Sequence, residues 1–121
     1  MKKSLWEIYV PRQFNTGRPV RTRYHRLWDA KVMEISGGLS IITPIKGRWR
    51  SPDNVVYQEG MIPVQIVATE AEMRDIARIT VEHYEQESVM CTLVSPHAFF
   101  VDALPQQKED WKAKNKLGLY K

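Results

Sequence analysis

A chain of 121 residues, 43% of them apolar, with four Trp and one Cys, has material for one hydrophobic core and cannot form a disulfide within itself. No apolar run approaches the ~18 residues of a membrane-spanning helix, and no Cys/His spacing suits a metal, which excludes a membrane span, a disulfide scaffold and a zinc module. The net charge of +4 is unevenly spread: residues 1–26 carry seven Lys/Arg against one acid, residues 27–103 carry six against eleven, and residues 104–121 carry five Lys against two acids.

Basic ends around an acidic middle suggest nucleic acid as a partner, but no aromatic-interleaved basic motif or recognition helix accompanies them. They serve equally to keep the chain in solution or to pair with the acidic middle of a neighbouring subunit. The opening "MKKSLWEIYVPRQ" starts like a signal peptide, yet Glu7 interrupts its apolar stretch and Pro11 and Arg12 end it, so a cytoplasmic protein is expected.

In chain order, "LWEIYV" (5–10) alternates and is rich in β-formers, which predicts the first strand. Residues 11–21 read as a loop, with turn signals at Asn15, Thr16, Gly17 and Pro19. From Thr22 the period becomes helical, with Tyr24, Leu27, Trp28, Val32 and Ile35 on one face and Gly37-Gly38 closing the helix. "LSIITPI" (39–45) predicts a second strand. Residues 46–60 read as a loop of hairpin character, with a turn at Ser51-Pro52-Asp53-Asn54. "MIPVQIVA" (61–68) predicts a third strand, placed at a sheet edge because Pro63 has no N–H for the ladder.

Thr69 and Glu72 make a capping box. It opens a second helix whose stripe is Met73, Ile76, Ala77, Thr80, Val81 and Tyr84. "SVMCTLV" (88–94) predicts a fourth strand, Ser95-Pro96-His97 a turn, and "AFFV" (98–101) a short fifth strand. The Lys-rich stretch from Leu104 is expected to fray or to reach over a neighbour.

The resulting order is that of a ferredoxin-like α+β sandwich, βαββαβ, with two helices on one face of an antiparallel sheet. Residues 1–103 form the domain and 104–121 a basic C-terminal tail. The sheet face without helices is expected to expose Ile8, Val10, Val67 and either Cys91 or Leu93. Bare apolar area of that kind is costly in water, so a PII-like homo-oligomer, most simply a trimer, is expected to cover it.

Few residues carry chemistry. Trp49, in Gly47-Arg48-Trp49, precedes Glu59 by ten positions; an indole can stack on a flat ligand, and a carboxylate can hold a ribose hydroxyl or face a cation. Tyr84-Glu85-Gln86-Glu87 puts acids at a helix C-terminus, where they oppose the macrodipole at a cost of about a few tenths of a kcal/mol each. A locally unfavourable choice points to another need for those residues. His25, His83 and His97 read as structural. No P-loop, nucleophile motif or dinucleotide fingerprint is present, and neither cofactor nor metal is expected.

The stretch "ARITVEHYEQESVM" (77–90) resembles the corresponding segment of the phage S-adenosylmethionine lyases, long called hydrolases: an Ala-Arg helix leading through an aromatic-Glu-Gln-acid stretch into a Val-rich strand. "YHRLW" (24–28), the Gly-x-aromatic-Arg of 47–50 and a Glu ahead of the third strand also fit in order, so the likeness spans roughly residues 20–95. On three points, Gly-Gly before the second strand, Gly-x-Trp and that Glu, the sequence is more similar to a wider set of small phage and bacterial proteins of unassigned role.

The lyase resemblance implies a ferredoxin-like, PII-type trimer with its ligand site between subunits. It implies cleavage of S-adenosylmethionine (SAM) to methylthioadenosine and homoserine lactone as a phage counter-defence in the host cytoplasm. It also implies a catalytic Glu59 and ligand contacts from Arg48, Trp49, Tyr57, Gln86 and Glu87. Trp49 stands where the family has a functional Tyr, which removes a hydroxyl. The alternatives are a non-enzymatic PII-like protein that binds an adenine nucleotide, and a host-interaction protein using its basic arms.

Overall fold

The computed structural model describes residues 2–42, 45–50 and 56–118, and for 46–49 and 56–59 the backbone alone. The strands are β1 (Ser4–Pro11), β2 (Ser40–Ile41), β3 (Ile45–Arg50), β4 (Val56–Ala68) and β5 (Cys91–Ser95). The helices are α1 (Thr22–Ser36), α2 (Glu70–Tyr84) and α3 (Pro105–Lys116). The order across the sheet is β2-β4-β1-β5, with β3 also on β4 and every pairing antiparallel. With β1 and β4 central and both long helices on one face, this is the ferredoxin-like α+β sandwich the pattern predicts.

Alternation along β1 and β4 decides which side is core. Ile8 and Val10 on β1, and Val64, Ile66 and Ala68 on β4, are buried against Trp28 and Val32 of α1 and Met73, Ile76 and Tyr84 of α2. Each Val, Ile or Met among them contributes about 1.5–3 kcal/mol by leaving water. Gly37 closes α1 at φ 80°, its N–H bonded to Met33 O. The Thr69–Glu72 box opens α2 with reciprocal bonds of 3.1 and 2.8 Å.

The open face differs from expectation. Ile8 and Val10 lie under the helices, and Cys91 and Leu93 pair with Ile8 and Trp6 on that same side. Of the residues predicted to be bare, only Val67 belongs to the helix-free face, because alternation along β1 fixes two faces without saying which of them the helices cover. That face carries Leu5, Tyr9 and Val67 around a polar row in which Glu7 sits between Gln65 on β4 and Thr92 on β5. Tyr9 OH donates to Glu7 Oε2 at 2.7 Å and Gln65 Nε2 to Glu7 Oε1 at 3.4 Å. The bond to the Glu7 carboxylate, reinforced by burial, raises the Tyr9 pKa.

The third predicted strand is central, not an edge, despite Pro63. In an antiparallel ladder a residue's N and O point to the same neighbour. Pro63 O accepts from Ile42 N at 2.9 Å, beyond the end of β2 at Ile41, where β2 has stopped and β3 has not begun. The missing N–H therefore falls at a break in the partner strands. Of the predicted second strand, Ser40–Ile41 forms β2 and Ile45 begins β3, residues 43–44 lying outside the described residues, and the 46–60 loop pairs as β3 with β4, its predicted turn at 51–54 also lying outside them.

Residues 98–101 are not a strand, and the tail contains α3. Pro105 sits at the first helical position and Gln107 Oε1 accepts the Leu104 N–H at 2.9 Å. Gln106–Asp110 and Lys112–Glu109 contacts line the helix surface, each worth about 0.2–0.5 kcal/mol. α3 buries no residue, and Phe99, Phe100, Val101, Leu104, Trp111 and Leu117 are exposed. No helix among the described residues is long and apolar enough to cross a membrane.

Candidate functional site

The hairpin register pairs Gly47 with Glu59, Arg48 with Gln58 and Trp49 with Tyr57. Glu59 thus lies within β4 instead of ahead of a strand. The side chains of Arg48, Trp49, Tyr57 and Glu59 lie outside the described residues, but their backbones share one short stretch of ladder.

Arg12, which sequence reasoning did not single out, meets the base of that hairpin. Its N–H bonds Gly60 O at 3.0 Å, and its stem packs over Gly60 so closely that a Cβ there would stand 3.0 Å from Arg12 Cδ. A glycine at 60 therefore lets a guanidinium-bearing side chain lie next to Glu59 in the chain. Its signal in the sequence was the isolated Gly in a β-pattern, which marks close approach.

Three residues further along the same loop, Asn15 Nδ2 donates to Glu85 O at 3.3 Å. Three residues of chain span at most about 11 Å, so the loop after β1 ties the hairpin base to the α2–β5 seam at one end of the sheet. At this seam α2 ends through Glu85, whose φ of 54° makes it the one non-glycine residue of positive φ among those described. Its N–H and that of Gln86 both reach Val81 O. Gln86 is buried, its amide donating to Tyr84 O at 3.1 Å, while Glu87 is exposed. Gln86 therefore holds the shape of the turn within the subunit.

Behind the seam, aromatic and imidazole rings lock α1 to α2. Tyr24 stacks on His83 at 4.0 Å between centroids, and its hydroxyl donates to His83 O at 2.6 Å. Lys31 Nζ lies 3.3 Å from His83 Nδ1, and an ammonium can only donate. The Nδ1 must then accept, and Nε2–H donates to Tyr24 O at 2.8 Å. His25 Nδ1 meets Tyr84 OH at 2.7 Å. Burial is the main reason both imidazole pKa values fall and that of the Tyr84 phenol rises. Neutral rings with fixed partners agree with the structural role expected of these histidines.

In front of the seam lies a cavity of about 350 Å³ lined by Phe14, Arg18, Pro19, Arg21, Tyr24 and Glu85. Arg18 sits over the Phe14 ring, 5.3 Å from its centroid. A second cavity of about 340 Å³, at the far end of the sheet, is largely apolar, with Leu5, Leu39, Val67 and Phe100 among its lining. No His/Cys/Asp/Glu cluster suited to a metal occurs among the described residues.

No protein-family model matches the sequence, and no curated protein does. Solved structures do. The fold is similar to a phage SAM lyase in complex with S-methyl-5'-thioadenosine, with a TM-score of 0.62 at 12% identity over 84% of this chain and 91% of that one. It is also similar to CutA1 from Oryza sativa (TM-score 0.56, 8% identity, 92% and 90% covered). CutA from Synechococcus elongatus in complex with Bis-Tris gives a TM-score of 0.54 at 17% identity, with 91% and 90% covered. At such identities the likeness defines the class, a ferredoxin-like domain of the kind CutA proteins and the phage lyase share.

Proposed function

We propose that this chain is a SAM lyase that works as a homotrimer in the cytoplasm of a phage host, removing the methyl donor on which restriction depends. Residues 1–103 act as the ligand-binding domain and 104–121 as an appended basic arm. The observation that carries the reading is the hairpin register, which places Trp49 opposite Tyr57 and two residues of ladder from Glu59. The fold likeness to the phage lyase supports it.

The chemistry asks little of the protein. The substrate's carboxylate oxygen attacks its own γ-carbon, the C–S bond breaks, and the electron pair stays on sulfur as a neutral thioether. The products are methylthioadenosine and homoserine lactone, with no water, metal or protein nucleophile consumed. Folding the methionine arm into reach can supply several kcal/mol, about 7 or more in well-oriented intramolecular cases. The step brings opposite charges together, so a site drier than water favours it.

In this reading Glu59 holds the sulfonium electrostatically. Trp49 offers its ring face to the cation and the adenine, and Tyr57 replaces the hydroxyl that Trp49 lacks. Arg48 and Glu87 contact ligand or neighbouring subunit, and Gln86 keeps the seam in place.

Glu59→Gln should lower methylthioadenosine release from SAM by roughly 100-fold, as loss of one electrostatic group typically does; an unchanged rate removes Glu59 from the mechanism. The second reading is a PII-like protein that binds an adenine nucleotide without turnover, and Trp49 in place of the family's Tyr favours it. Calorimetry with methylthioadenosine would then show binding while SAM stays intact.

A further inference from the structure

The cavity in front of the seam is bounded by two helix ends that each carry the wrong charge. Arg21 occupies the N-cap of α1, makes no side-chain cap, and is followed by Arg23 with no acid in the first turn. Cations there face the positive end of the dipole. Glu85 occupies the C-cap of α2, where an acid faces the negative end, and it holds a left-handed conformation that glycine adopts more easily.

Arg18 and Arg21 on one side and Glu85 on the other all line the same cavity. Among the described residues, neither arginine nor Glu85 lies within ion-pair distance of a charge of opposite sign. Strain and misplaced charge kept together at one concave site point to a ligand that satisfies both signs at once.

We infer that this cavity binds the zwitterionic head of an α-amino acid, with Arg18 and Arg21 on the carboxylate and Glu85 on the ammonium. A planar guanidinium matches a carboxylate with two parallel hydrogen bonds, and the stacking of Arg18 on Phe14 preorganises one of the pair. Tyr24 and Pro19 line the same cavity and leave apolar surface for the side chain. At about 350 Å³ the space lies at the small end of ligand sites, which run from about 300 to 1,000 Å³. A simple anion would leave Glu85 opposed, and a simple cation would leave two guanidinium groups opposed. The inference does not rest on SAM cleavage, since a free amino acid fits the head-group chemistry whether or not SAM is a substrate.

The test is a titration of the full-length protein with L-leucine, followed through backbone amide NMR shifts at Asn15, Tyr24 and Glu85, with leucinamide and N-acetylleucine as probes lacking one charge each. Saturable shifts with L-leucine are expected, and both single-charge probes should bind at least roughly tenfold more weakly, as loss of a charged hydrogen bond implies. Arg18→Gln and Glu85→Gln should each weaken L-leucine by a similar factor while leaving the remaining amide spectrum in place. No saturable shift with L-leucine overturns the inference. Equal binding of all three probes, or unaltered binding by both variants, does so too. Activity on SAM, measured separately, tests the lyase reading and leaves this result standing either way.

Discussion

Glu85→Gly should make the protein more stable. Glu85 holds φ 54° at the end of α2, and the bonds that fix it are backbone bonds to Val81 O and an Asn15 donor to its own carbonyl. All survive removal of the side chain. The left-handed conformation costs a non-glycine residue about 1–2 kcal/mol, and the acid at a helix C-terminus adds about 0.3–1 kcal/mol at low salt. Against these, glycine loses about 0.5–1 kcal/mol more conformational entropy on folding. The net gain is about 1 kcal/mol, or roughly 3–5 °C in Tm for a domain of this size. Urea and thermal unfolding followed by far-UV circular dichroism, at one fixed protein concentration so that association does not intrude, measure it. An unchanged or lower midpoint would refute the reasoning, because it would mean that the carboxylate has a stabilising partner inside the subunit. The same variant should lose the amino-acid binding inferred above, which separates stability from ligand binding at one residue.

Other consequences follow from the helix and sheet faces. Thr80 is fully buried, accepts the Trp28 indole N–H at 2.9 Å and donates to Ile76 O; Thr80→Val should cost about 1–3 kcal/mol by stranding that donor, read as a lower urea midpoint at constant m-value. His25 and His83 titrate below the ordinary 6.5 because burial disfavours the imidazolium. The unfolded chain therefore takes up protons first on acidification, and their contribution, complete above pH 6.5, is lost as pH falls through 6.5 toward the lower folded values. The midpoint should drop as pH falls below the ordinary imidazole value, and His83→Gln should shallow that slope; a slope unaffected by the substitution assigns the effect elsewhere. Glu7→Lys, in the polar row of the open face, should convert the proposed trimer to monomers in sedimentation velocity without changing the circular dichroism spectrum, whereas an assembly that survives the substitution would move the proposed interface off that face.

Much of this fold was legible because its signals are periodic. The α2 stripe from Met73 to Tyr84, the Thr69–Glu72 box and the Gly37 stop each rest on local geometry that tertiary context did not override. Faces were harder. Ile8 and Val10 alternate correctly, but alternation alone does not say which parity meets the helices, and only their burial in one cluster with Trp28, Val32 and Ile76 settles it. Pro63 misled because the rule against proline in central strands assumes unbroken neighbours, and here β2 ends at Ile41. The site was half visible. Wrong-sign charges at 85–87 were readable as a local oddity, but their counterpart, the arginines before α1, became meaningful only when the loop from Arg12 to Asn15 brought both helix ends to one cavity.

The measurement that bears most directly on the proposed activity is incubation of the purified protein with SAM in H₂¹⁸O, with products separated by chromatography and weighed by mass spectrometry. Methylthioadenosine is expected together with homoserine lactone that carries no label, since the substrate's own carboxylate closes the ring. Homoserine appearing first with ¹⁸O in its side-chain hydroxyl, or SAM recovered intact, would contradict it.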